Sequence, residues 1–135
     1  MPEPRPLRMV HTSDVHLGAH TAGDGGAWQE KRDRMHDGFR AVVDLALAQD
    51  AGVLLIAGDF FDNDRAPDDV VDFAIGEIRR FGRPTVVVPG NHDPMDPGKL
   101  YWRHDFEGLA PNLRIIREHA GEVIEVEGVD LVLWG

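Results

Sequence analysis

Three short apolar runs, each stopping abruptly at a cluster of polar and chemically competent residues, constrain this chain more than any other feature. Leu7 to His11 leads into Asp14-Val15-His16, Val53 to Ala57 into Gly58-Asp59-Phe60-Phe61-Asp62, and Thr85 to Val88 into Gly90-Asn91-His92-Asp93. Runs this short, with little or no polar alternation, fit parallel strands buried on both faces. The first two are separated by Trp28 to Asp50, where Met35, Phe39, Val42 and Ala46 recur at helical spacing and Gly52 is placed to end the helix. The second helix begins with Pro67, Asp68 and Asp69, carries a stripe of Val70, Ala74, Ile78 and Phe81, and ends with Arg79, Arg80, Gly82 and Pro84. Strand, helix, strand, helix, strand at this spacing predicts right-handed crossovers in one parallel sheet.

In an open α/β sheet the carboxyl ends of the strands converge on one crevice, where ligands bind. The three polar clusters therefore become neighbours. Together they offer carboxylates from Asp14 and Asp59, an imidazole from His16 and an amide oxygen from Asn91. This oxygen and nitrogen set suits Mn, Fe, Zn or Mg. In an extended Asp-x-His the two side chains project the same way, so both can face one ion. The chain has no cysteine, which removes thiolate metal sites, disulfides and cysteine nucleophiles together. Each cluster alone has a plain reading as a turn or loop closure; all three at successive strand ends point to one site.

After Pro97 the pattern changes. Leu113 to Ile116, Val123 to Val126, and Val129 to Trp134 around Gly128 read as short strands with a hairpin. The 135 residues, 42% apolar and 28% charged, suffice for one globular domain. No stretch approaches the ~20 apolar residues of a membrane span, and the first residues carry no secretory signal pattern, so the expected compartment is the cytoplasm. The net charge of -10 opposes a broad basic surface for nucleic acid, although bound divalent cations would make an acidic cleft attractive to phosphate.

The order Asp-x-His, Gly-Asp-x-x-Asp, Gly-Asn-His-Asp resembles the calcineurin-like metallophosphoesterase superfamily. The wider phrasing, His11-Thr12-Ser13-Asp14-Val15-His16-Leu17-Gly18 and Gly58 to Asp62 followed by Ala66-Pro67, resembles its DNA repair branch, the SbcD-type exonucleases. The resemblance implies a four-layer α/β/β/α sandwich, of which residues 1–135 hold the first sheet with its helices and the start of the second. It implies two divalent metal ions, Mn foremost, that clamp an in-line displacement and supply a bridging hydroxide. Asp14 and His16 would hold the first ion, Asp59 both, and Asn91 the second. His92 would sit at the scissile phosphate as proton donor or charge stabiliser, Asp93 would orient His92, and Asp62 would support a ligand. The implied substrate is DNA, with an ATPase partner, a homodimer and no membrane association.

Family members complete the site with a further His and a Gly-His-x-His motif. Only His104 and His119 follow Asp93, both read as exposed loop histidines, and the last run stops at Trp134-Gly135 in or just beyond a strand. The chain is therefore expected to be the N-terminal part of a longer enzyme. Two other functions fit the same motifs: a phosphodiesterase for cyclic nucleotides or other small phosphoesters, and a non-catalytic binding scaffold. Tyr101-Trp102-Arg103 could stack on a base or pack the loop behind the third cluster. Lys31, Arg32 and Arg34 could touch a phosphate backbone or form a solvated helical face. Gly23 to Gly26 reads as a flexible connector that could gate the site, and His11, His20 and His36 have no partner identifiable from the sequence.

Overall fold

A computed structural model of the chain describes residues 3, 5–19 and 26–135. His20 and the glycine connector at residues 23–25 lie outside the described residues. Strands β1 (Met9–Thr12), β2 (Val53–Ala57), β3 (Thr85–Val88) and β4 (Leu113–Ile115) pair in sequence order. All three pairings are parallel, with Leu54 opposite Val10 and Thr85. The run expected at 113–116 thus extends the first sheet. A second, two-stranded antiparallel sheet joins β5 (Val123–Val126) and β6 (Leu131–Trp134).

Alternation along the pleat assigns the two faces. Leu54, Ile56, Val87, Leu113 and Ile115 belong to a core with helices α1 (Ala27–Ala48) and α2 (Asp68–Phe81). Val53, Val86 and Ile116 meet Ile124 and Val126 of the hairpin in a smaller core. The layers are therefore helices, parallel sheet and the hairpin sheet. The hairpin leaves part of its side of the first sheet open. Met9, Val88 and Trp134 remain exposed, lining with Leu133 an apolar cavity of about 400 Å³.

Helix α1 buries Phe39, Val43 and Ala46, with Met35 and Val42 at the margin of the core, so its apolar stripe is centred nearer Val43 than the 35-39-42-46 spacing suggests. Full burial of a side chain such as Phe39 or Val43 stabilises by roughly 1.5–3 kcal/mol. Gly52 does not end α1. Asp50 takes the left-handed conformation at φ 53°, the Asp50 N–H donates to Leu47 O at 3.1 Å and the Ala51 N–H to Ala46 O at 2.9 Å. This is a Schellman closure with aspartate where glycine is usual. Gly52 lies beyond that closure, and a Cβ there would stand 2.8 Å from Leu7 Cδ1. Helix α2 follows the expected stripe, burying Val70, Ala74, Ile78 and Phe81, and Gly82 closes it at φ 70°. Arg32 pairs with Asp69 across the two helices, so it is an interhelical contact rather than a phosphate ligand in this structure.

Two four-residue helices, α3 (Leu100–Arg103) and α4 (Phe106–Leu109), connect β3 to β4. Asp105 caps α4 by accepting from the Gly108 N–H at 3.0 Å. Among the described residues, no helix is long and apolar enough to cross a membrane.

Candidate metal centre

The turns after β1, β2 and β3 are stitched to one another by main-chain hydrogen bonds. Asp14 N–H donates to Gly58 O at 3.0 Å, His16 N–H to Asp59 O at 3.0 Å, Leu17 N–H to Phe60 O at 2.9 Å and Gly58 N–H to Val88 O at 2.8 Å. The parallel pairing thereby continues past the strand ends, and the three clusters meet at the carboxyl edge of the sheet.

Asp14, His16 and Asp59 all have left-handed backbones, at φ 54°, 52° and 52°. The extended Asp-x-His geometry expected from the sequence is therefore replaced by two left-handed residues around Val15. The convergence survives because hydrogen bonds to the β2 turn, not strand alternation, aim the side chains. Left-handed non-glycine residues of this kind cost of order 1–3 kcal/mol each and persist where surrounding contacts dictate them.

One donor atom from each of Asp14, His16 and Asp59 lies within 4.8 Å of the others, and His16, Asp62 and His92 form a second such group. His16 Nε2 is 3.8 Å from Asp14 Oδ1 and 3.9 Å from Asp59 Oδ2. On its other side His16 Nδ1 lies 3.1 Å from Asp62 Oδ1, out of line for a hydrogen bond, so this buried nitrogen has no hydrogen-bond partner among the described residues. The Asp59 carboxylate is buried. Its Oδ1 accepts from the His92 N–H at 2.9 Å, and Oδ2 faces His16. Hard oxygen donors around an imidazole suit a divalent cation, and converging carboxylates favour one by charge. Asp14, His16 and Asp59 therefore fit a metal ion, with Asp62 close behind His16.

His92 is exposed at the rim, its ring edge-on to His16 with centroids 5.0 Å apart. His92 Nδ1 is 2.9 Å from Asp62 O. A carbonyl oxygen only accepts, so Nδ1 carries the proton and Nε2 is the free position. Asn91 sits between Gly90 and His92 in the third turn with its side chain exposed. Gly90 is required by contact, because a Cβ there would overlap the Asp59 carboxylate and main-chain nitrogen.

Asp93 is placed differently from the expectation that it orients the His92 ring. It is fully buried. Its Oδ1 accepts from Gly90 N–H at 2.8 Å and Asp59 N–H at 3.1 Å. Its Oδ2 accepts from Phe61 N–H at 3.1 Å and the Tyr101 hydroxyl at 2.5 Å. Asp93 thus ties the second turn to the third, and the group against the His92 ring nitrogen is Asp62. The Tyr101 hydroxyl contact is absent from the sequence reading, since nothing in the spacing pairs residue 101 with residue 93. Burial first, and then the neighbouring Asp93 charge, hold the Tyr101 hydroxyl well above its ordinary pKa.

The remaining candidates separate cleanly. Tyr101 packs behind the third turn, whereas Trp102 is exposed and donates from Nε1 to Met95 O at 2.6 Å. His119 is exposed, but His104 is half-buried, edge-on to Phe106 at 5.9 Å, so it is not the free loop histidine expected. His36 stacks on Phe73 at 3.9 Å between α1 and α2 and is in neither group of potential metal ligands found among the described residues.

A profile of the family described as calcineurin-like phosphoesterase matches residues 7–134. A DNA double-strand break repair protein Mre11 of Aeropyrum pernix is 36% identical over 89 residues, 64% of this chain and 21% of the relative. The Mre11 protein of Haloferax volcanii is 31% identical over 93% of this chain and 28% of the relative. A probable cyclic nucleotide phosphodiesterase of Fibrobacter succinogenes is 28% identical over 78% of this chain and 43% of its own length. The chain thus spans less than half the length of each of these relatives. Among solved structures, the Pseudomonas putida nuclease MPE superposes with a TM-score of 0.52 at 24% identity, covering 81% of this chain and 47% of that one, a likeness of fold.

Proposed function

The chain belongs to the calcineurin-like phosphoesterase family, and from that premise we propose that it hydrolyses phosphodiester bonds, with DNA as the favoured substrate, at a two-metal centre of which Mn(II) is the foremost occupant. The observation that carries this reading is the convergence of Asp14, His16 and Asp59 within 4.8 Å at the carboxyl edge of the sheet, with the free face of His92 beside them.

In this reading Asp14 and His16 would hold one ion, Asp59 would serve both and Asn91 the second. The ions would neutralise phosphoryl charge and activate water. The protein groups do the rest. Asp62 O accepts from His92 Nδ1 and fixes the ring, so Nε2 meets the substrate; it donates a proton only when the ring is doubly protonated, and then returns to the neutral form. Asp62 Oδ1 stands 3.1 Å behind His16 Nδ1. Asp93 holds the second and third turns at one spacing. The reading carries with it a cytoplasmic location, an ATPase partner and a homodimer, and it takes residues 1–135 as the N-terminal part of the phosphoesterase domain.

A second substrate class has its own support. The net charge of -10 opposes a broad basic path for duplex DNA, and the Fibrobacter relative is named as a probable cyclic nucleotide phosphodiesterase. Cyclic nucleotides are the alternative. Hydrolysis of duplex DNA, cyclic nucleotides and a chromogenic phosphodiester, each with Mn(II), separates the two. Turnover of DNA that is lost in Asp59→Asn supports the main reading. Turnover of cyclic nucleotides alone selects the alternative, and retained turnover in both Asp59→Asn and His92→Ala overturns the assignment of the site.

A further inference from the structure

Helix α3 braces both of the turns that carry the central residues of the metal site. On its outer side Lys99 Nζ pairs with Asp64 Oδ2 at 3.1 Å and Arg103 donates to Asp64 O, which fastens α3 to the segment following the β2 turn. Trp102 Nε1 donates to Met95 O at 2.6 Å, which fastens it to the segment following the β3 turn. On its inner side Tyr101, 1% exposed, reaches the Asp93 carboxylate, whose other three bonds come from the main chain of Gly90, Asp59 and Phe61. Two of those partners belong to the Gly-Asp turn after β2 and one to the Gly-Asn-His-Asp turn after β3. The Asp93 carboxylate is thus the knot between the turns, and Tyr101 is its only side-chain donor among the described residues.

A carboxylate buried at 0% exposure holds its orientation only while each oxygen has enough donors. With the phenol in place, Oδ2 has two donors and Oδ1 has two. Without it, Oδ2 is left with Phe61 N–H alone, and rotation of the carboxylate loosens the bonds to Asp59 and Gly90. Asp59 is the residue whose buried carboxylate faces His16, so the loss passes directly to the metal site. The ring of Tyr101 packs against Phe106 and Phe61 at centroid distances of 5.2 and 6.1 Å, contacts that phenylalanine keeps.

We propose that Tyr101 is a positioning residue of the metal centre, its hydroxyl locking the Asp93 carboxylate that holds the turns after β2 and β3 at the spacing the ions require. The functional half of this rests on the site being a metal centre; the locking itself does not. Tyr101→Phe isolates the hydroxyl, and Asp93→Asn, which weakens the knot at its centre, is the second variant.

Amide hydrogen exchange on the chain without metal, followed by NMR, reads the lock. In Tyr101→Phe the amides of Asp59, Phe61 and Gly90 should exchange faster by roughly tenfold, while those of α2 and of β2 from Leu54 to Ile56 stay as in the parent. A purely structural role would accelerate all of them together, and unchanged exchange at the three turn amides overturns the proposal. Calorimetric titration with Mn(II), well below the melting transition of each variant, reads the consequence. Binding should weaken roughly tenfold, as for loss of an outer-shell partner. If the parent binds no Mn(II), the residues of this chain do not hold an ion by themselves and the functional half of the proposal falls, while the exchange data still decide whether Tyr101 locks the turns. If the parent binds and Tyr101→Phe binds equally well, the positioning role is overturned and the metal reading stands.

Discussion

At the scale of single residues, the site depends on contacts so close that small additions are not tolerated. Gly90→Ala places a methyl group against the Asp59 carboxylate and backbone. Overpacking of this kind costs about 1–3 kcal/mol, and because the displaced group is the proposed shared ligand, Mn(II) affinity should fall at least about tenfold. Thermal denaturation and calorimetry on one sample check both parts. His92→Ala makes the opposite combination, since the main-chain N–H that donates to Asp59 remains. Hydrolysis should fall by roughly 10²–10⁴-fold while Mn(II) binding stays within about threefold, a smaller change than loss of a ligand partner brings. His36 provides a test by pH. Burial foremost, then Arg32 and Arg40, lower its pKa from 6.5, with Asp33 and Asp69 acting the other way, and its Nε2 is buried without a hydrogen bond. The unfolded chain binds this proton near pH 6.5 and the folded chain only at lower pH, so the contribution of His36 is present above 6.5 and is lost as pH falls toward the folded value. His36→Phe keeps the stack on Phe73 and removes the titration. Its melting temperature should exceed that of the parent most at pH 5 and least at pH 8.

At the scale of elements, helix ends show how far local sequence goes. Helix α2 has acidic residues in its first turn, Arg79 and Arg80 in its last, and a left-handed Gly82 as its stop, each of which follows from composition alone. Gly82→Ala forces an L side chain into that conformation and should cost about 1–2 kcal/mol, readable as a lower urea midpoint with an unchanged slope. Helix α1 is less legible. It ends on Asp50, not on the nearby glycine, because Asp50 takes the left-handed conformation that closes the helix. The strands repeat the contrast: β2 and β3 lie where their apolar runs place them, whereas β1 begins at Met9 instead of Leu7, its start set by pairing Met9 with Val53.

At the scale of the whole molecule, several acidic side chains share one edge of the sheet, so a divalent cation should stabilise the fold as well as equip it. Mn(II) at a hundredfold excess over its dissociation constant adds about 2.7 kcal/mol if it binds only the folded chain. The melting temperature should rise with Mn(II), return with chelator and stay unmoved in Asp59→Asn. A parent whose melting temperature ignores Mn(II) would count against the metal reading.

The sequence by itself determined strands β1 to β3 with the two long helices between them, the stripe of α2, and the position of Asp14, His16, Asp59, Asn91 and His92 just after strand ends, because hydrophobic period and parallel topology are local or nearly local properties; it did not foresee α3, α4 or the pairing of β4 with β3. Only the tertiary structure decided how those residues are aimed. The left-handed turns at Asp14, His16 and Asp59, the burial of Asp93, the hydroxyl of Tyr101 against it and the carbonyl of Asp62 against His92 are set by hydrogen bonds between segments far apart in the chain. A buried donor or acceptor takes whatever partner the packed fold brings within reach, and no periodicity in one segment encodes what another will offer it.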